Sequence, residues 1–289
     1  MLFIIINPVT SQVNTALPRA YTQQDLDILV GNVQRPNGIS WFNDKLYTVC
    51  SGDWTLYDID ASSGATRTYL SGVRDAHSVH TEADGEDNFT LWIPDFDSNQ
   101  LYKVDGRSVQ MTAVSSDLGG PWGIDRFDED NLLVSNLRTN SVSKINENGL
   151  TETILTDLRS PTGIASDSDY VYIANNGSAR RAIEWSDKST LSNDGLQLLL
   201  KGVQNTGDLV LAEDGYLYFT YALGTRGVVG RVNPEECRDE ACSNEDVEIV
   251  VFTELPAPLA GLTVSDDMEL FFHAIYRPEI YSIDLYNPQ

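Results

Sequence analysis

A short motif recurs at regular intervals along the chain and limits the folds that the chain can adopt. Each copy contains a turn, a small residue and the start of an apolar strand, as in Arg35-Pro36-Asn37-Gly38-Ile39 and Ser160-Pro161-Thr162-Gly163-Ile164. The central positions are Gly38, His77, Gly123, Gly163, Gly207 and Gly261. Their spacings of 39, 46, 40, 44 and 54 residues match the length of one four-stranded propeller blade. The repeat therefore predicts six blades.

Each repeat has the same internal order of strands and turns. An apolar strand is followed by an acidic turn, an aromatic-rich strand, a polar loop and two further strands. The predicted second strands are Lys45–Val49, Thr90–Ile93, Asn131–Val134, Tyr170–Ile173, Tyr216–Phe219 and Glu269–Phe272. Such β-branched and aromatic runs between Gly, Asp and Asn are typical of strands, and helical periodicity is nowhere sustained. The sequence thus predicts an all-β, six-bladed β-propeller with four strands per blade.

The last repeat is one strand short. Only 28 residues follow Gly261, which is enough for three strands, and a three-stranded blade would keep an open edge. The segment Asp25–Val33 matches the fourth strands Thr68–Val73 and Leu198–Val203 in its pattern. We therefore predict that an N-terminal outer strand closes the ring. Residues 25–289 form a single propeller domain in this interpretation, and residues 1–24 are an apolar N-terminal segment and linker.

The segment Leu2–Ile6 is the longest apolar run that could suggest a membrane segment, and it is far shorter than the roughly 18 to 20 residues that cross a bilayer. It is either the remnant of a signal sequence or an ordered strand. As an ordered strand it could add to a neighbouring molecule, so a structural or assembly subunit that self-associates through this strand is one alternative.

The charge balance limits the classes of partner. The chain has 43 Asp and Glu against 19 Lys and Arg, a formal net charge of −24. A surface this negative repels nucleic-acid phosphates and anionic lipids, which disfavours nucleic-acid and membrane-surface partners.

The cysteines point to an oxidising compartment. Cys237 and Cys242 lie five residues apart in a polar stretch, which is a spacing that can close a disulfide loop, and no second pair is present for a zinc site. We predict a disulfide and, from it, a secreted or periplasmic protein. The triplets at Asn88 and Asn176 have the form of N-glycosylation sites, and secretion is compatible with them.

The Pro-x-Gly-Ile inner strand, followed by a Leu-Tyr strand, resembles the six-bladed propellers of the NHL-repeat and SMP-30/gluconolactonase-like superfamily. That superfamily contains lactonases, lyases and binding modules, so the resemblance implies a fold rather than one activity. In SMP-30-like lactonases a Glu, an Asn and an Asp around the channel hold a metal. Asn37 matches the Asn-Gly form of that motif, but no inner strand begins with Gly-Glu, and Asp208 follows its glycine instead of preceding it.

In such propellers the loops that enter inner strands and leave second strands share one face around the central channel, called the channel face below. Arginines collect in these loops, while the opposite turns are acidic. Arginine recognises carboxylate and phosphate. We therefore predict an anionic small molecule or peptide as the ligand; the alternative is that these arginines pair with acids in neighbouring loops. The predicted ligand-binding residues are Arg35, Asn37, Trp54, Arg74, His77, Trp122, Arg138, Arg159, His273 and Arg277.

A divalent-metal-assisted hydrolase or lyase of the lactonase type is the competing class. Oxygen ligands with one imidazole could hold Ca²⁺ or another divalent cation, and the candidate ligands are Asn37, His77, Asp95 and Asp97. Strand alternation sends His77 and His80 to different sides, so only one of them is expected to face the site. The lyases of this superfamily rely on a histidine with a nearby Glu, and His77 and His273 are the channel-side histidines here. The alternative without a metal is that the two aspartates stabilise turns and the histidine is packed in the protein.

Overall fold

The fold consists of six β-sheets arranged as blades around a central channel. The computed structural model describes residues 16–85 and 88–287. The strands, in chain order, are β1 (Tyr21–Thr22), β2 (Asp27–Val30), β3 (Pro36–Phe42), β4 (Lys45–Cys50), β5 (Thr55–Asp60), β6 (Thr66–Ser71), β7 (His80–Ala83), β8 (Phe89–Asp95), β9 (Gln100–Asp105), β10 (Met111–Ser115), β11 (Pro121–Arg126), β12 (Asn131–Asn136), β13 (Ser141–Asn146), β14 (Thr151–Leu155), β15 (Pro161–Ser166), β16 (Tyr170–Asn175), β17 (Ile183–Asp187), β18 (Gln197–Leu200), β19 (Leu209–Leu211), β20 (Leu217–Leu223), β21 (Arg226–Val232), β22 (Glu248–Pro256), β23 (Leu259–Val264), β24 (Glu269–Ala274) and β25 (Ile280–Asp284). The predicted six-bladed propeller is confirmed.

Blades 1 to 4 are antiparallel meanders, β3 to β6, β7 to β10, β11 to β14 and β15 to β18. Blade 5 contains β19 to β22 and is extended by β1, which pairs in parallel with β22. Blade 6 has the order β2-β25-β24-β23, in which β2 pairs antiparallel with β25. The pairing of β1 starts four residues before the predicted domain boundary at residue 25. Leu2–Ile6 lies outside the described residues.

The repeated glycines lie where inner strands of neighbouring blades come into close contact. A Cβ atom on Gly38 would be 2.7 Å from the backbone of Ser78, and one on Gly123 would be 2.2 Å from the carbonyl oxygen of Thr162. A side chain at these positions would force the inner strands apart, because the neighbouring atom is backbone and cannot move aside. Glycine therefore recurs at this position of the repeat because neighbouring inner strands must approach each other closely there.

Few helices interrupt the strands. One α-helix, α1 (Pro234–Asp239), follows β21, and 3-10 turns cover Gln23–Asp25, Ala179–Arg181 and Lys188–Thr190. In the part of the chain that the structure describes, no helix is long and apolar enough to cross a membrane.

The predicted disulfide is confirmed. Cys237, at 1% exposure, lies in α1 and is bonded to Cys242. Leu200 of blade 4 forms a bridge with Cys242, so the loop is held against the edge of that blade. Cys50 is a buried free cysteine, and burial raises the pKa of its thiol to about 12.

Replacing Cys237 and Cys242 together by serine is expected to lower the free energy of unfolding by about 2 kcal/mol, since a ring this small removes little chain entropy from the unfolded state. Urea unfolding checks this value, and wild-type protein unfolded and refolded in reductant provides the control, because it should match the double variant. An unchanged free energy of unfolding would mean that packing alone holds the loop.

Candidate functional site

The channel face carries a small, mostly apolar cavity at the mouth of the central channel. Its volume is about 170 Å³. The first residues of inner strands, the loops that precede them and the loops that follow second strands supply its walls. The lining residues are His77, Trp122, Leu137, Thr162, Asn176, Gly207, Asp208, Pro258, Leu259, Ala260 and Ile275. We call this space the channel-face cavity.

An aromatic cluster forms one wall of the channel-face cavity. The imidazole of His77 is stacked parallel on the indole of Trp122, with ring centroids 3.5 Å apart. Phe96 packs edge-on against both rings, at centroid distances of 5.5 Å and 5.6 Å. The wall thus presents flat apolar surface to a ligand. His77 occupies the one repeat position without glycine, which explains why an imidazole reaches the cavity from blade 2.

The two carboxylate oxygens of Asp75 contact Asn37 and His77. The Asn37 amide Nδ2 donates to Asp75 Oδ1 at 2.8 Å, and the other oxygen of Asp75 lies 3.5 Å from His77 Nε2. Asn37 is 5% exposed. Asp75 therefore links blade 1 to the aromatic wall.

Arginines in the channel-face loops contact aromatic rings and backbone carbonyl groups. Arg138 stacks on Phe96, with its guanidinium carbon 3.9 Å from the ring centroid, and its Nη1 donates to the carbonyl oxygen of Phe96 at 3.2 Å. Arg35 lies over Tyr276 at 4.9 Å, and Arg159 donates to the carbonyl oxygens of Asp157 and Leu158.

Within residues 16–85 and 88–287, no carboxylate lies within ion-pair distance of five exposed arginines, namely Arg35, Arg74, Arg138, Arg159 and Arg277. Arg181 behaves differently, because its guanidinium binds Glu184 at 2.7 Å. The pairing alternative therefore applies to Arg181. The other five keep unneutralised charge on the channel face of a protein whose net charge is −24.

Several predicted site residues lie outside the channel-face cavity. Trp54 is 57% exposed and does not line it. His273 is completely buried, with Nε2 2.6 Å from the carbonyl oxygen of Asn37 and 3.0 Å from the amide nitrogen of Gly261. Burial lowers the pKa of His273 to about 4, so it is a neutral residue between blades 1 and 6.

The predicted metal ligands do not fit a divalent cation. Asp95 is completely buried, and its oxygens accept hydrogen bonds from the backbone nitrogens of Arg74, Asp97 and Ser98 at 2.6 to 3.1 Å. It stabilises the turns, while Asp97 is exposed and Asn37 and His77 contact Asp75. No group of three or more His, Cys, Asp or Glu side chains is placed to hold a metal ion among the described residues. We derive no chemical step through a metal.

A second cavity occupies the interior of the channel toward the acidic face. Its volume is about 230 Å³, and His80, Asp125, Ser166 and Asp208 are among its lining residues. We call it the inner cavity. His80 lines it together with Ser78 and Val79, whereas His77, which precedes β7, lines the channel-face cavity. The two histidines are therefore separated by their position along the channel, and strand alternation does not account for the difference.

His80 belongs to a charged network at the inner cavity. Its Nδ1 lies 3.1 Å from Asp125 and its Nε2 3.4 Å from Glu82. Burial opposes protonation of His80, but these two carboxylates outweigh it and raise its pKa to about 9. Arg126 also pairs with Glu82. The network joins blades 2 and 3, and both ring nitrogens of His80 contact carboxylates within it. We therefore assign His80 a structural role.

Sequence reasoning missed Phe96, Leu137, Leu259 and the role of Asp208. Phe96 lies between the two aspartates that drew attention to its loop, and its apolar character was the useful feature. Asp208 stands where the other well-formed repeats have an apolar residue after glycine. A polar side chain at a core position of a repeat is the pattern that could have identified it.

Solved structures with the same fold identify the architecture. A streptogramin B lyase structure has a TM-score of 0.62 and 16% identity over 89% of this chain and 96% of that chain. This chain shares its six-bladed β-propeller fold with that structure. A luciferin-regenerating enzyme matches with a TM-score of 0.64 and 14% identity over 89% and 94% of the two chains. The calcium-binding protein regucalcin from Agrobacterium tumefaciens matches with a TM-score of 0.67 and 11% identity over 94% and 99%.

These identities describe a shared fold, and the resemblance predicted from the repeat is confirmed at that level. No protein-family model matches this chain. No curated protein matches it either.

Proposed function

We propose that this protein binds a small anionic ligand, or the carboxylate end of a peptide, at the channel face. The supporting observation is the combination of an aromatic-walled cavity with surrounding arginines that no described carboxylate neutralises. Aromatic side chains supply apolar contact area and arginine supplies forked hydrogen bonds to a carboxylate, which is the pairing that binding centres favour. The volume of about 170 Å³ suits an aryl or short apolar group inside, with the anionic group at the rim.

Because the protein as a whole is strongly acidic, the arginines of the channel face direct anionic ligands to that face. The protein repels anions over most of its surface, and a local group of unneutralised arginines provides a favourable approach at one end of the channel. We expect the affinity for anions to fall as salt rises, because these arginines are exposed.

Calorimetric titration with benzoate, phenylacetate and sugar acids, at low and at moderate salt, tests the proposal. Benzoate is expected to bind and benzamide to bind much more weakly, because the amide lacks the charge. Arg138→Gln is expected to weaken benzoate binding about fivefold, the scale of one exposed charge contact. Arg107→Gln is the matched control, since Arg107 is exposed in the turn between β9 and β10 on the opposite face. Equal affinity for benzamide and benzoate would contradict the proposal.

We also propose that the protein works in a secreted or periplasmic setting. The disulfide supports this setting, because such bonds persist in oxidising compartments.

A lyase or lactonase-like activity is the second candidate, and the fold shared with a streptogramin B lyase is compatible with it. Propellers of one fold carry many activities, and the described side chains gather no metal-binding set. The geometry therefore supports binding better than metal-assisted catalysis.

A further inference from the structure

Asp208 lies at the junction between the channel-face cavity and the inner cavity. It is the one lining residue that the channel-face cavity shares with the inner cavity. It directly precedes β19, the inner strand of blade 5. Asp208 therefore forms the floor that a ligand in the channel-face cavity would meet.

The backbone holds the Asp208 carboxyl group in one orientation. Oδ1 accepts a hydrogen bond from the amide of Leu209 and Oδ2 one from the amide of Leu262, both at 3.1 Å. The Asp208 amide in turn donates to Thr220 Oγ1 at 3.1 Å. Each carboxyl oxygen can take part in one more hydrogen bond.

Charge is distributed unevenly along this site. Neither cavity is lined by a described Lys or Arg, whereas arginines without a carboxylate partner lie in the channel-face loops. A ligand with its anionic group inward would place two acids together. The carboxylate must therefore face the rim, and a different group must face Asp208.

The other titratable groups around Asp208 leave it without a cationic partner. His77 lines the channel-face cavity, while His80 and Asp125 line the inner cavity and are paired with each other. The packed strands β15 and β23 carry no titratable side chain, and β16 and β20 carry only tyrosines. Burial raises the pKa of Asp208 to about 7, against the two backbone hydrogen bonds, which lower it.

We propose that Asp208 selects ligands whose inward end is a neutral hydrogen-bond acceptor, so that the ligand class is aryl carboxylates with a carbonyl or similar group opposite the carboxylate. In its acid form Asp208 donates one hydrogen bond to that acceptor. This inference rests on the proposed function, since it assumes that the carboxylate binds at the arginine rim.

Three para-substituted benzoates test the inference by titration calorimetry between pH 6 and 8.5. They are 4-acetylbenzoate with a neutral acceptor, 4-isopropylbenzoate of similar shape without one, and 4-(aminomethyl)benzoate with a cation. At pH 6 we expect 4-acetylbenzoate to bind about tenfold more tightly than 4-isopropylbenzoate, the scale of one hydrogen bond in an enclosed site. Above pH 7 this preference should disappear, with a total loss of affinity of up to about tenfold, because the acid form that donates the hydrogen bond is lost.

Asp208→Asn keeps a hydrogen-bond donor at this position and removes the ionisable group. The amide keeps a donor, so the preference for 4-acetylbenzoate should persist and its decline with pH should disappear. Asp130→Asn is the matched control, since it removes one exposed carboxylate in the turn between β11 and β12, on the opposite face. Should Asp208→Asn fail to fold, the wild-type series with the three ligands still decides the question.

The outcomes distinguish the two proposals. Equal binding of the acetyl and isopropyl compounds would overturn the role of Asp208 and leave the proposed function intact. Tighter binding of the aminomethyl compound than of 4-acetylbenzoate at pH 6 would also overturn it, because Asp208 would then act as a carboxylate at a pH where the proposal requires its acid form. Failure of all three benzoates to bind would overturn both.

Discussion

Removal of residues 1–34 is expected to leave a protein that aggregates, whereas removal of residues 1–20 should leave a folded propeller. The longer deletion removes Tyr21, Val30 and Val33, which are at most 4% exposed. Burial of each such side chain contributes about 1.5–3 kcal/mol, and the three together approach the whole stability of a typical domain. The deletion also uncovers β25, which pairs with β2, and an unpaired strand edge promotes aggregation.

Tyr21 adds a specific contact to this loss. Its hydroxyl donates to the carbonyl oxygen of Leu285 at 2.7 Å, while β1 pairs with β22 of blade 5. The segment therefore connects blade 5 to the end of blade 6. Size-exclusion chromatography and thermal unfolding of both truncations check the prediction. A monomeric protein lacking residues 1–34 with an unchanged melting temperature would show that β2 is dispensable for ring closure.

Arg231→Met is expected to lower the free energy of unfolding by about 3–5 kcal/mol. Arg231 is completely buried, and its Nη1 lies 3.0 Å from Asp214, itself 1% exposed. The hydroxyl groups of Tyr218 and Tyr286 lie 3.0 Å from the same nitrogen. Loss of one partner of a buried ion pair leaves the other charge without compensation, which carries a penalty of this size.

Arg67→Met is the control for Arg231→Met. Arg67 also pairs with a buried carboxylate, Asp58, but it is 68% exposed and Asp58 keeps Lys45 at 3.0 Å. Its loss should therefore lower the free energy of unfolding by about 1 kcal/mol or less. Urea unfolding of both variants, with Arg231→Met/Asp214→Asn as a partial rescue, makes the comparison. A loss below about 1 kcal/mol for Arg231→Met would refute a stabilising role for the pair.

The repeat predicted the fold because it encodes contacts that depend on local residue size. Glycine recurs where an inner strand touches its neighbour, and each second strand was found within about one residue of its predicted start. Among the inner strands, two begin after the central position of the motif: β7 begins at His80, after the degenerate copy, and β19 begins at Leu209. The site was predictable only in part. His77 and Trp122 were both expected at the channel face, but nothing in their separate loops indicated that the two rings stack.

The number of blades and their order could be predicted from the sequence alone. They follow from the number and length of the repeats, which are properties of the chain read in order, whereas the face on which each loop lies was implied by the resemblance to known propellers. The contacts of individual side chains became clear only in three dimensions. The Asp95 carboxylate accepts hydrogen bonds from backbone amides, His273 is buried, and Arg181 has a carboxylate partner while Arg138 stacks on Phe96. Those outcomes depend on side chains from different blades meeting in three dimensions. Hydrogen-bond saturation and burial, unlike strand periodicity, are set by such long-range neighbours.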